Sequence, residues 1–138
     1  MPAPDAGLSD DRALIEEAVR GAGAIARKFY GGDYKRWDKG KGQPVTDADL
    51  AVDKYLRETL TAARPHYGWL SEETEDEPSR LEKRSVFVVD PIDGTIAFLK
   101  NKPHFTVCVA LVRDGRPIIG VVFNPMLNEC FAANDGEG

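Results

Sequence analysis

Apolar positions in the first part of the chain recur at helical spacing. Leu14, Ile15, Ala18, Ala22, Ile25, Ala26 and Phe29 fall three or four residues apart, the one-sided stripe of an amphipathic helix. Ser9 is placed to cap this helix. Asp10 and Asp11 follow in a first turn where the macrodipole favours anions, and Gly31-Gly32 ends the segment. A polar, Gly-rich loop comes next, "GGDYKRWDKGKGQP". A second stripe then runs through Val52, Tyr55, Leu56, Leu60 and Ala63. Thr46 opens it, with Thr46-x-x-Asp49 as a variant of the capping box, and Pro65 stops it.

Beyond Pro65 the period shortens. "GWLS" reads as a short strand feeding the acidic stretch "EETEDEP". Val86 to Val89 are unbroken apolar residues, which predicts a strand buried on both faces. Thr106 to Val112 and Ile118 to Phe123 flank "RDGR", whose Asp114-Gly115 is a strong hairpin signal. Glu129 to Ala133 predicts one more strand before "NDGEG". The order of elements predicts an α+β class, two N-terminal helices packed on a mostly antiparallel sheet. A sheet edge left open at a turn is a poor place for a domain to finish. Residues 1–138 are therefore expected to be the first part of a larger domain.

Composition narrows the function classes. A hydrophobic content of 42% and a charged content of 30% suit an ordered globular chain. The net charge of -5, from 18 basic and 23 acidic residues, argues against a nucleic-acid polymer as partner. Basic residues around Lys35-Arg36 and Lys39–Lys41 are broken by Trp37, Asp38 and Gly40 and read as a solvated loop. Cys108 and Cys130 lack CxxC spacing and partner histidines, so they are expected to be small buried hydrophobes in a reducing compartment. "MPAPDAGLSDD" has no basic or apolar signal region, and no apolar run approaches the roughly 20 residues of a membrane span. The expected location is cytoplasmic, with no membrane partner. His66 and His104 have no second histidine at ligand spacing and read as surface residues. Trp69 reads as core, and Lys100 and Lys102 as solvated loop.

The stretch "VFVVDPIDGT" carries the chemistry. An apolar strand ends in two carboxylates, Asp90 and Asp93. Two carboxylates a few ångströms apart repel by roughly 3–4 kcal/mol at an effective dielectric near 20, so a site that gathers them must protonate some or bind a cation. Hard cations such as Mg²⁺ take such oxygen ligands. Pro91 bars a regular ladder hydrogen bond and bends the chain, which lets both aspartates converge. The Ile92 carbonyl lies between them as a further oxygen. Gly94 permits close backbone approach, and Thr95 brings a hydroxyl to the start of "IAFLK", a short helical pattern whose N–H groups could face a phosphate. Haloacid-dehalogenase-type phosphatases also end a strand in an Asp-rich motif. They space the aspartates by one residue where this chain has two, and begin near that motif where 89 residues precede it here, so that reading is a distant alternative.

Three segments together resemble the inositol monophosphatase family of Mg²⁺-dependent, Li⁺-sensitive phosphatases. "PVTDAD" is similar to the segment with an active-site aspartate, matched by Asp49. "WLSEET" is similar to the Glu-Glu motif, whose metal ligand is matched by Glu72, with Glu73 as a solvated or supporting carboxylate. "DPIDGT" is similar to the central motif, with Asp90, Ile92 (through its carbonyl) and Asp93 as metal ligands and Thr95 near the attacking water. Asp93, Gly94 and Thr95 would also touch the substrate phosphate. The resemblance implies the N-terminal part of the layered αβαβα sugar-phosphatase fold. It also implies a cofactor of about two or three Mg²⁺ ions, which would activate a water oriented by Thr95 and Asp49. A small phosphorylated metabolite would be the substrate: inositol phosphate, 3′-phosphoadenosine 5′-phosphate, fructose 1,6-bisphosphate or histidinol phosphate. "YGWLSEET" and "DPIDGT" with Ala97-Phe98 lean toward the bacterial nucleotidase or histidinol-phosphatase branch. A homodimer is an assembly the resemblance allows. The family carries a last metal-binding aspartate in a "WDxG"-like motif after "DPIDGT". Here "WDKG" at Trp37–Gly40 precedes the other motifs and reads as a coincidence. A non-catalytic metal-binding fragment that needs the missing half is the alternative.

Overall fold

A computed structural model describes residues 7–38, 44–73 and 78–135. Helix α1 (Leu8–Phe29) buries Ile15, Ala18, Ala22 and Ala26 of the expected stripe, and Val19 beside them. Its start differs from expectation. Gly7 is the N-cap, no side chain caps the helix, and Ser9 lies inside the first turn. That turn is anchored from within the fold instead. The fully buried Asp11 carboxylate accepts from Arg64 Nε at 2.8 Å, Tyr67 Oη at 2.8 Å and Arg113 at 2.9 Å.

Part of the Gly-rich loop is ordered as a small hairpin. Strands β1 (Arg36–Asp38) and β2 (Pro44–Thr46) pair antiparallel, with Trp37 opposite Val45. Lys39 and Lys41 lie outside the described residues, as does the acidic run Glu75–Glu77. Thr46 then caps α2 (Asp47–Ala63) through a complete capping box, and the helix stops at Arg64, before Pro65. Its buried face includes Val52, Leu56 and Leu60.

The main sheet has five strands in sequential order: β3 (Gly68–Ser71), β4 (Ser85–Asp93), β5 (Thr106–Arg113), β6 (Arg116–Asn124) and β7 (Glu129–Asn134). A 3₁₀ turn (Pro78–Glu82) lies between β3 and β4, and the five-residue helix α3 (Thr95–Leu99) between β4 and β5. Strand β3 is parallel to β4 and every other neighbouring pair is antiparallel. The turn between β5 and β6 uses Asp114 and Gly115 at φ 53° and 78°, the left-handed pair that a tight hairpin requires.

Helices α1 and α2 cover one face of this sheet. Phe87, Val89, Val107, Val109, Leu111, Ile119, Val121 and Phe123 point into that layer and are buried. Gly23 lets α1 sit close to the sheet, since a Cβ there would fall 2.4 Å from the ring of Phe123. Strand β4 departs from the expected burial on both faces: Phe87 and Val89 are buried while Val86 and Val88 are half-buried. The far face is apolar yet open. Val88, Ala110, Gly120 and Val122 line a broad groove there of about 670 Å³. Cys108 shares that groove and is half-buried, as is Cys130, so neither is the fully buried hydrophobe expected. His104 is exposed, but His66 is half-buried with its ring edge-on to Tyr67 at 4.8 Å, contrary to the surface reading. Trp69 is core.

Candidate functional site

The cleft at one end of the main sheet is built by three elements. Helix α2 supplies Asp49 from its first turn. Asp49 Oδ2 accepts from the Thr46 backbone N–H at 2.8 Å and from Thr46 Oγ1 at 2.7 Å. The capping box thus fixes one carboxylate oxygen and leaves the other, Oδ1, facing Thr95 Oγ1 at 3.2 Å. The same threonine hydroxyl lies 3.1 Å from the Ile92 carbonyl oxygen. A capping interaction and a candidate catalytic pair therefore share one side chain.

Strand β4 supplies the aspartates through an irregularity. Asp90 pairs with Cys108 and Asp93 with Thr106, and the register shifts between them. Residues three apart on a regular strand point to opposite faces. The bulge at Pro91-Ile92 breaks that parity: Pro91 and Ile92 are buried, while Asp90 and Asp93 both emerge toward solvent. Gly94 follows at φ 91°, and a Cβ there would lie 2.9 Å from the His104 carbonyl oxygen, so only glycine fits without strain. Phe98 then pins α3. It is fully buried, edge-on to Phe105 at 5.0 Å and tilted on Tyr34 at 5.4 Å, which holds Thr95 at the cleft.

Strand β3 brings the third element. Its parallel register sets Ser71 level with Val89, so Glu72 follows β3 at the same end of the sheet where Asp90 stands on β4. The cleft, about 260 Å³, is lined by Asp49, Glu72, Glu73, Asp90, Ile92, Asp93, Gly94 and Thr95, together with Pro44 and Ile96. The seven residues proposed from the sequence as catalytic, metal-binding or substrate-binding, and Glu73 beside them, thus line one cavity. Asp38 of "WDKG" is exposed on β1 and is not among the lining residues.

The electrostatics match the crowding. Partial burial and then the charges of Asp93, Glu72, Asp49 and Glu73 push the Asp90 carboxyl up from 3.8 to about 6. Burial also pushes the Cys108 thiol up, with Asp93 and Asp90 adding to it, so the thiol stays protonated near neutrality. The Asp90 shift has a definite sign for stability. A carboxyl whose folded value exceeds its unfolded value binds more protons folded than unfolded between the two. Without a cation, stability from this group should therefore fall as pH rises from about 4 to about 6. Because Asp90 is solvent-exposed, the effect should be on the order of 1 kcal/mol or less. Thermal melts in chelator across this range, with Asp90→Asn subtracted to cancel other groups, measure it; a difference that rises with pH would contradict the clustering.

Sequence reasoning did not single out Asp53 and Ser71, a buried hydrogen-bonded pair close in sequence to the lining residues. Asp53 lies one helical turn after Asp49, and Ser71 immediately before Glu72. The Asp49-x-x-x-Asp53 spacing was the available signal, since it puts both carboxylates on one helix face.

Residues 8–138 match the inositol monophosphatase family. The chain is 40% identical to an inositol-1-monophosphatase of Caulobacter vibrioides over 129 residues, 91% of this chain and 49% of that protein. It is 40% identical to the 3′(2′),5′-bisphosphate nucleotidase CysQ of Aggregatibacter actinomycetemcomitans, over 90% of this chain and 47% of that protein. Its fold superposes on the extragenic suppressor protein suhB of Bartonella henselae with a TM-score of 0.86 at 34% identity. That superposition covers 91% of this chain and 49% of that one. The chain thus spans about half the length of the relatives it matches.

Proposed function

The chain belongs to the inositol monophosphatase family, and from that premise we propose that it is the N-terminal, metal-binding half of a Mg²⁺-dependent phosphomonoesterase. The observation that carries the reading is the meeting of Asp49, Glu72, Asp90, Asp93, the Ile92 carbonyl and the Thr95 hydroxyl on one cleft. The donors are hard oxygens, and their mutual repulsion is what a divalent cation relieves. Among the described residues, no three Asp, Glu, His or Cys side chains close into a metal cage by themselves. Mg²⁺ keeps several waters and completes its shell with substrate phosphate, so it does not require an all-protein cage. Glu72, Asp90, Asp93 and the Ile92 carbonyl would hold it.

When bound, Mg²⁺ supplies Lewis-acid activation of a water and neutralises phosphate charge. The chain's own residues do the rest. Asp49 Oδ1 accepts from the Thr95 hydroxyl, which orients that hydroxyl toward the cleft and any water beside it. Gly94 has no side chain to block a phosphate oxygen near the backbone. The haloacid-dehalogenase alternative is set aside, because the family match runs from residue 8 through "DPIDGT" to residue 138.

The substrate is a small phosphorylated metabolite. The relatives' names favour an inositol monophosphate or a 3′(2′),5′-bisphosphate nucleotide, with histidinol phosphate as a third candidate. Among the described residues no helix is long and apolar enough to cross a membrane.

The test is phosphate release from these three substrates, with and without Mg²⁺, by a polypeptide of the relatives' full length that contains residues 1–138. Turnover should require Mg²⁺, fall with Li⁺ and vanish in Asp93→Asn. Turnover that persists in chelator or in Asp93→Asn would defeat the reading. The half-length coverage also favours a second reading for residues 1–138 alone, a metal-binding unit without turnover. Stabilisation by Mg²⁺ with no phosphate release from this chain would support it.

A further inference from the structure

Two buried carboxylates stand one turn apart on α2, and only the first belongs to the cleft lining. Asp49 is 3% exposed and braces Thr95; Asp53 is 5% exposed and braces something else. Ser71 Oγ, on a residue also 5% exposed, lies 2.5 Å from Asp53 Oδ1. Ser71 is the last residue of β3. Its Oγ in turn accepts the Glu73 backbone N–H at 3.3 Å. With one proton to give, the hydroxyl donates to the carboxylate and accepts from the amide. The chain Asp53–Ser71–Glu73 N–H therefore ties the turn that carries Glu72 and Glu73 to the body of α2.

We infer that Asp53 is a positioning residue for the metal site, holding the Glu72–Glu73 turn through Ser71 as Asp49 holds Thr95. Helix α2 then serves as the template for both walls of the cleft, one carboxylate per wall. The physical need is plain. Glu72 and Glu73 repel Asp90, and they follow a four-residue strand on the edge of the sheet. Without the tether, repulsion would swing the turn toward solvent, where carboxylates separate at little cost. Partners that orient ligand side chains in this way typically change metal affinity by about 10–100-fold when removed.

The inference rests on the metal-binding reading above, and its test separates the two. Mg²⁺ binding to the 138-residue chain is measured by titration calorimetry for the parent, Asp53→Ala, Asp53→Asn, Ser71→Ala and the Asp53→Ala/Ser71→Ala double variant. Thermal melts in chelator accompany each. Asp53→Ala and Ser71→Ala should each weaken Mg²⁺ binding by about 10-fold, and the double variant by no more than either alone. Asp53→Asn keeps an amide oxygen for the serine hydroxyl and should recover most of the affinity. A merely structural role predicts the opposite pattern: affinity unchanged in Ser71→Ala, or losses that track the melting temperature and are not rescued by asparagine. Either result overturns the inference while Mg²⁺ binding by the parent stands. Should Asp53→Ala fail to fold, Ser71→Ala and Asp53→Asn still decide. A parent chain that binds no Mg²⁺, or Asp90→Asn binding as well as the parent, would overturn the metal-binding reading itself and the inference with it.

Discussion

Asp90→Asn should move stability in opposite directions with and without Mg²⁺. In chelator near neutral pH, the variant should be more stable than its parent. It removes a charge that faces Asp93, Glu72, Asp49 and Glu73, the crowding that lifts this carboxyl to about 6. With Mg²⁺ the order should reverse. A cation bound only by the folded chain stabilises it by about 2.7 kcal/mol when present at 100 times its dissociation constant. Asp90 lies at the centre of the proposed ligand set, so its variant should show almost none of that gain. In the full-length polypeptide the same change should lower turnover by about 1000-fold or more, since metal charge stabilisation contributes several kcal/mol to the transition state. Chemical or thermal denaturation at two Mg²⁺ concentrations checks the first part. Equal Mg²⁺ stabilisation of parent and variant would remove Asp90 from any ligand set.

Asp11→Ala should be the most damaging single change to the fold itself. The carboxylate is fully buried and accepts from Arg64, Tyr67 and Arg113. Arg113 also donates to Ser85 Oγ at 2.7 Å and lies over the Tyr67 ring. Hydrogen bonding to Asp11 holds the Arg64 guanidinium above its usual range, and even without that partner an arginine does not deprotonate in a protein. Removing the anion takes from two arginines, with side chains 19% and 12% exposed, the carboxylate they share. Breaking such a pair typically costs about 3–5 kcal/mol, a large share of the roughly 5–15 kcal/mol that holds a domain folded. The melting temperature should fall by about 10–15 °C. Asp11→Asn keeps an acceptor for Tyr67 and one arginine and should lose less. A loss below about 1 kcal/mol for the alanine variant would mean that this network contributes little net stability.

Much of the local structure could be read from residue order. The stripes of α1 and α2 were visible because apolar side chains three and four apart share a helix face. The β5–β6 hairpin was visible because Asp114-Gly115 tolerates the left-handed backbone a tight turn needs. Thr46 was legible as a cap because its partner, Asp49, is three residues away. Ser9 shows where such reasoning stops. It has the chemistry of a cap, but the start of α1 is decided by Asp11, whose partners lie 53, 56 and 102 residues along the chain. The β1–β2 hairpin was missed because glycine and charge dominate its sequence. Strand β4 was expected to be covered on both faces, but the described helices cover only one, and an apolar run does not state how many layers will pack on it.

The identity of the candidate site was a property of the sequence: carboxylates, a carbonyl and a hydroxyl, in segments whose motifs match a family throughout residues 8–138. Their meeting was decided by the tertiary structure. Side-chain alternation has the same period in parallel and antiparallel strands, so the pattern of "GWLS" could not say which way β3 would run. Had β3 paired antiparallel to β4, Glu72 would leave at the opposite end of the sheet, about 13 Å away at roughly 3.3 Å per residue. The parallel pairing, the bulge that turns Asp90 and Asp93 to the same side, and the serine tether to α2 all depend on contacts between distant segments. No local pattern encodes them.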